Sequence, residues 1–199
     1  LHRLIRRQRQ MCIRDSYTYA HTDITVVGDR LANVISFEQR KSINEPLYRG
    51  QIYIDMENNA LLRVDFEVNP QYIEQAAGMF VERKSRNLRI TPQKVAYTVS
   101  YKQWNGTYYI NHIRGDLHFK IKKRRQLFNT NILHTWFEMV TCKIDTANVN
   151  RFSRIESLPT RTVFSDTHFN YDEGFWGDFN VILPEDKPVS YTHLTLPTN

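Results

Sequence analysis

Over much of the chain, hydrophobic and polar residues alternate with a period of two, and this pattern predicts antiparallel strands. The clearest unit is "GQIYIDMENNALLRVDFEV" at 50–68. There Ile52, Ile54 and Met56 alternate with Gln51, Tyr53 and Asp55. Leu62, Val64, Phe66 and Val68 then alternate with Arg63, Asp65 and Glu67. The "ENNA" between them carries asparagines, which tolerate positive φ and suit a tight turn. Two such runs predict a hairpin with one buried and one wet face.

A second hairpin is predicted around Asn105–Gly106, the strongest short turn signal in the chain. Before it, "KVAYTVSYKQW" puts Val95, Tyr97, Val99 and Tyr101 on one face. After it, "TYYINHIRGDLHFKIKKRR" puts Tyr109, Ile113, Leu117, Phe119 and Ile121 on one face. His112, Arg114, Asp116, His118, Lys120 and Lys122 take the other. A return strand of this kind reaches roughly 40 Å, which suits a large curved sheet or a partly open barrel. "NILHTWFEMVTCKID" at 131–145 is apolar on both faces and is expected to be covered on both sides. "DITVVGD" and "LANVISFEQ" are shorter strand candidates upstream.

One stretch changes period. "NPQYIEQAAGMFVERK" at 69–84 repeats Ile73, Ala76, Ala77 and Phe80 at helical spacing. Asn69 is placed to cap it, Pro70 occupies the first helical position, and basic residues close it. Gly78 weakens its middle by about 1 kcal/mol relative to alanine. The fold class that follows is mainly β (α+β): a curved antiparallel sheet or half-open β-barrel with one packed helix against its concave face. From about residue 147 the alternation degrades. An extended aromatic segment is expected there, pinned by Phe164, Phe169, Tyr171, Phe175, Trp176 and Phe179.

Composition is that of an ordinary globular chain, with 41% hydrophobic and 24% charged residues. No run approaches the roughly 18 apolar residues of a membrane helix, and the N-terminal stretch has no apolar signal core. The net charge of +6 depends on one end. Residues 1–16 hold Arg3, Arg6, Arg7, Arg9 and Arg14 against Asp15; without them the 27 basic residues fall to 22, the 21 acidic to 20, and the net to +2. Residues 189–199 hold no Lys, Arg, Asp or Glu. "MCIRDSYT" and "VSYTHLTLPTN" resemble translated sequencing-adapter read-through at the edges of gene fragments from environmental DNA. Residues 1–16 and 189–199 are therefore expected to carry no function, with a single β-rich domain over 17–188. Cys142 then stands alone, which excludes a disulfide framework or a cysteine zinc site; a small core or strand residue is expected.

Candidate chemistry is sparse. "KIKKRR" at 120–125 reads as a charged strand end, since a nearly neutral domain lacks the positive field of a nucleic-acid binder. The "RGD" at Arg114–Asp116 lies inside a strand, and the "NGT" at Asn105–Thr107 is accounted for by the hairpin turn. His112 and His118 are six strand residues apart, roughly 20 Å, too far to share an ion. His21, His134 and His168 have no ligand partner at close spacing. "YDEGFWGD" at 171–178 lacks the regular oxygen spacing of a calcium loop. No G-x-S-x-G, P-loop, H-E-x-x-H or dinucleotide fingerprint occurs. No catalytic residue, cofactor or metal ligand is assigned.

The stretches "GQIYIDMENNALLRVDFEVNP", "YTVSYKQWNGTYYINHIRGDLHFKIKKRR" and "FWGDFNVILPED" resemble a family of uncharacterised Bacteroidetes envelope proteins that carry a carboxypeptidase-regulatory-like β-sandwich. The resemblance covers about residues 45–188, the part following that sandwich. It implies a periplasmic or outer-membrane-peripheral domain of a Gram-negative bacterium, and no peptidase. The "G-x-I-x-I-D…N…L-L-R-V" hairpin is also similar, more distantly, to lipoprotein-carrier folds, whose half-open barrel holds an acyl chain. On this basis a non-enzymatic envelope domain is expected, binding an acyl chain or other apolar ligand or an outer-membrane protein. The candidate cavity residues are Ile54, Val64, Phe66, Val99, Tyr101, Ile113 and Phe119. The alternatives are a structural interaction module of an outer-membrane-associated assembly and a hydrolase with an unrecognised site.

Overall fold

The computed structural model describes residues 16–81, 86–124, 130–147, 149–153, 157 and 162. Seven strands run antiparallel in one sheet, each beside its sequence neighbour: β1 (Tyr17–Val27), β2 (Arg30–Gln39), β3 (Tyr48–Asp55), β4 (Leu61–Val68), β5 (Leu88–Trp104), β6 (Thr107–Lys123) and β7 (Thr130–Val140). This is the mainly β architecture that the alternation predicts: an open, curled sheet with one short helix. The residues up to Thr141 form one compact unit and those from Cys142 a second.

Turn chemistry explains the connections. Asn105 and Gly106 both hold positive φ, at 47° and 81°, the left-handed pair a two-residue hairpin demands. Gly28, at φ 65°, does the same between β1 and β2. The β3–β4 loop is longer and closes on Asn59 at φ 58°. Its anchor is Asp55, which is fully buried. The Asp55 carboxylate accepts the Glu57 backbone N–H at 2.8 Å, an Arg30 guanidinium N–H at 2.7 Å and the Tyr108 hydroxyl at 3.3 Å. Those hydrogen bonds, the backbone one foremost and outweighing the effect of burial, hold its pKa below the ordinary carboxylate value. Gln39 organises the β2–β3 connection in the same way. Its buried amide donates to the carbonyls of Ile43 and Glu45 and accepts from the Leu47 N–H. A buried amide must be satisfied in this manner or it destabilises the fold.

Register sorts the side chains. Tyr48, Gly50, Ile52 and Ile54 of β3 share a face with Val64, Phe66 and Val68 of β4, and with Val95, Tyr97 and Val99 of β5. Ile113, Gly115, Leu117 and Phe119 of β6 continue that face. It is the apolar side. The opposite face carries Arg49, Gln51, Asp65, Glu67, Thr98, Arg114, Asp116 and His118. On the apolar side Gly50 allows β3 and β4 to approach: a Cβ there would meet the Asp65 carbonyl oxygen at 2.0 Å. Gly115 is roofed by Phe137 of β7, whose ring would lie 2.3 Å from a Cβ.

The helical segment packs on the apolar side. It is shorter than the spacing over 69–84 predicts: a 3-10 turn at Ile73–Ala76 leads into a single α turn, α1 (Ala77–Phe80). Val81 is already extended. Gly78 and the β-branched Val81 are poor helix formers, and so short a segment depends on packing rather than propensity. The expected capping is corrected: the segment begins at Ile73, its N-cap position is Tyr72 with no side-chain cap hydrogen bond, Pro70 lies ahead of it and no basic residue sits in its last turn. Asn69 instead accepts the Gln71 N–H at 3.1 Å in the turn that precedes it. Ile73 and Ala76 bury against Val68 and Val95, with Tyr48, Phe80, Tyr97 and Leu117 around them. This is the main buried cluster, and it covers only part of the apolar face; Ala32, Val34, Leu62 and Phe119 are buried outside it.

Two further expectations are corrected. β7 is not covered on both sides. It is the last strand of the sheet among the described residues and is exposed over most of its length, because the helical segment packs on β4 and β5 and does not reach its faces. Cys142 is neither core nor strand; it is exposed just beyond β7. The RGD tripeptide lies within β6, as expected. Phe164, Phe169, Tyr171, Phe175, Trp176, Phe179, Arg125, His168 and the 171–178 string lie outside the described residues. Among the described residues no helix is long and apolar enough to cross a membrane.

Ile73→Ala should lower the stability of the sheet unit by about 2–5 kcal/mol, measured by urea denaturation, since it empties the contact between helical segment and sheet. Asp55→Ala should lower the denaturation midpoint more than Glu57→Ala, because Asp55 is buried and joins three partners whereas Glu57 is largely exposed.

Candidate functional site

The two faces of the sheet carry different chemistry. On the apolar face, register aligns one residue from each of six strands in a straight row: Ile35, Ile52, Val64, Val99, Ile113 and Met139. Five strand spacings make this aliphatic strip about 24 Å long. Its residues are half-buried, apart from Met139, which is exposed. A parallel row of rings borders it. Phe66 stacks on Tyr97 at 5.3 Å, and Tyr97 meets Phe137 at 6.4 Å. Tyr48 packs edge-on against Phe66 on the side of the helical segment.

The seven candidate cavity residues are distributed over this face rather than around one hollow. Val64, Val99 and Ile113 belong to the strip, and Phe66 to the row of rings. Ile54 and Tyr101 follow where bulges interrupt the β3–β4 and β5–β6 ladders. Phe119 is buried at the far end, opposite Pro92 and Leu133. Two open concavities touch this set at one residue each, Tyr101 and Phe66. One, of about 450 Å³, includes Arg30, Leu62, Tyr101 and Tyr108 in its lining. The other, of about 490 Å³, is a trough beside Glu38, Arg49, Gln51, Asp65 and Thr98 of the polar face.

The polar face holds a cluster that strand spacing alone does not reveal. Asp116 and His118 are two residues apart on β6 and so point the same way. His134 sits on β7 directly opposite His118. Its Nε2 lies 2.6 Å from Asp116 Oδ1, and His118 Nε2 lies 3.2 Å from the same oxygen. The two imidazoles stack with centroids 4.2 Å apart. On the other side Lys94 of β5 donates to Asp116 Oδ2 at 2.9 Å. Partial burial raises the Asp116 pKa, but the Lys94 and His134 hydrogen bonds outweigh it and hold the carboxyl at about 2.

The expectation that His134 has no ligand partner is therefore corrected: Asp116 and His118 are its neighbours, and the three could hold an ion. The sequence signal was a His on each of two adjacent strands plus D-x-H, and it becomes a cluster only once the β6–β7 register is known. His112 is separate from the cluster and lies 3.8 Å from Glu138, which also accepts from Arg114 at 2.8 Å. His21 is hydrogen-bonded to Asn33.

No family model, curated protein or solved structure matches the chain. The class the geometry defines is a single-sheet β domain with an aliphatic strip on one face and a histidine–aspartate cluster on the other.

Since the Asp116 pKa is lowered on folding, its contribution to stability is present above the ordinary carboxylate range and is lost as pH falls from about 4 towards 2. Asp116→Asn should flatten that limb of the stability–pH curve, read from denaturation midpoints at successive pH values.

Proposed function

We propose that this chain is a non-enzymatic domain of a Gram-negative cell envelope that holds an acyl chain along the apolar face of its sheet. The observation that supports this reading is the aliphatic strip from Ile35 to Met139. The helical segment packs beside Val68 and Val95, so it leaves Val64, Val99 and Ile113 half-exposed. The strip is longer than one leaflet of a bilayer's hydrocarbon core, which is about 15 Å, so a whole acyl chain fits along it. Each buried methylene contributes about 0.8 kcal/mol, and a chain of ordinary length therefore gains enough to offset its ordering. The resemblance to envelope proteins and the likeness to lipoprotein carriers point the same way.

A hydrolase is less well supported. The Asp116 carboxyl is held far below neutrality and paired with Lys94, whereas a general base works best with a pKa near the working pH. A second reading, an interaction module of an outer-membrane-associated assembly, is favoured by β7. That strand exposes Ile132, Leu133, Trp136, Phe137 and Met139. An extended segment of a partner protein adding to its outer edge would form main-chain hydrogen bonds and pack its own side chains beside these on both faces.

Delipidated protein should bind a fluorescent fatty acid saturably. Val64→Thr combined with Val99→Thr should weaken binding about tenfold, because it places hydroxyls of matched shape under the hydrocarbon. Unchanged affinity in that variant, with circular dichroism confirming the fold, would exclude the strip as the binding surface.

A further inference from the structure

We propose that Asp116, His118 and His134 form a binding site for a divalent transition-metal ion of the Zn²⁺ or Ni²⁺ kind. The site lies on the polar face of the β6–β7 ribbon, opposite the aliphatic strip and independent of it. One ligand atom from each of the three residues lies within 4.8 Å of the others, and both Nε2 atoms approach Asp116 Oδ1. Two imidazoles and one carboxylate are ligands suited to these ions.

Distances decide how much must move. Bonds of about 2.0–2.2 Å in tetrahedral geometry set ligand atoms about 3.3–3.6 Å apart. The Oδ1–Nε2 separation of 3.2 Å for His118 nearly matches that edge already. The 2.6 Å separation for His134 must open by about 0.7–1 Å. His134 is half-exposed on an edge strand, so a small torsional change meets little resistance. The ring stack keeps both Nε2 atoms aimed at one place. On binding, a proton carried by either Nε2 passes to that ring's Nδ1 or to solvent, and the two nitrogens donate lone pairs to the ion. Three protein ligands leave at least one position for water.

Electrostatics makes the proposal specific. Lys94 holds Asp116 Oδ2 and leaves Oδ1 to the histidines. A divalent ion with one carboxylate leaves a net positive charge, and the Lys94 ammonium sits beside it. Lys94 thus aligns the carboxylate but opposes the ion. Of the other charges on this face, Glu138 pairs with Arg114, whose guanidinium lies 5.8 Å from the Trp136 ring centre, while Lys120 and Lys122 follow His118 along β6 and add further positive charge.

The test is calorimetric titration of the full chain, stripped with chelator, with Zn²⁺ and separately with Ni²⁺. One ion should bind saturably. His134→Gln and Asp116→Asn should each weaken binding about tenfold or more, while His112→Gln, six residues along β6 from His118, should leave it unchanged. Lys94→Gln should tighten binding several-fold, an effect expected from charge and not from a purely structural role for the lysine. A Co²⁺ complex should show a visible absorption band that His134→Gln removes, in a variant whose circular dichroism matches the parent. Absence of saturable binding to the parent chain, or equal losses in His134→Gln and His112→Gln, would overturn the proposal.

Discussion

The antiparallel ladder between β5 and β6 is the constraint on which everything else rests. It begins at the two-residue Asn105–Gly106 turn and runs to Leu88 and Lys123. Because side chains alternate with a period of two, a slip of one residue would move every side chain of β6 to the other face. Ile113, Gly115 and Leu117 would then meet water, and Asp116 and His118 would enter the core. The left-handed conformation of both turn residues removes that freedom. The bulges near Pro92 and Ser100 absorb irregularities locally and leave the central register intact.

This one ladder places both candidate sites. The same strand β6 supplies Ile113 to the aliphatic strip and Asp116 and His118 to the polar cluster. Among the described residues, apolar burial is concentrated where Val68, Ile73, Ala76 and Val95 come together, with Ala32, Val34, Leu62 and Phe119 buried elsewhere. Away from that point the apolar side is half-open, and such surface is a common mark of an interaction site. On the polar side the charges are paired across strands, as Arg49 with Glu67, Lys94 with Asp116 and Arg114 with Glu138. Exposed pairs of this kind contribute little individually. They do set the directions of their side chains, which is how Asp116 comes to present one oxygen to two histidines.

The hairpins were legible in the sequence because their signals are local: alternation in "QIYID" and "LLRVDFEV", and positive-φ residues between strands. The helical segment was legible in position, but not in capping or length. Capping and charge signals at 69–70 and 83–84 frame a longer helix, whereas the segment held by the Ile73 and Ala76 contact starts at Ile73 and is extended again by Val81. For β7 the two-sided apolar pattern suggested burial, yet cover depends on what packs over each face, and the helical segment packs at Val68 and Val95 instead. His134 was misjudged for the same kind of reason. Its partners are 16 and 18 residues away and become neighbours through pairing.

By itself, then, the amino-acid order determined the strands, their two unlike faces and the turns that reverse them, since each follows from backbone preference and the two-residue repeat. Only the tertiary structure decided which residues of different strands stand side by side. That choice aligned six aliphatic side chains across the sheet and joined one carboxylate to two imidazoles. Contacts of this kind depend on distance through space, and distance along the chain does not report it.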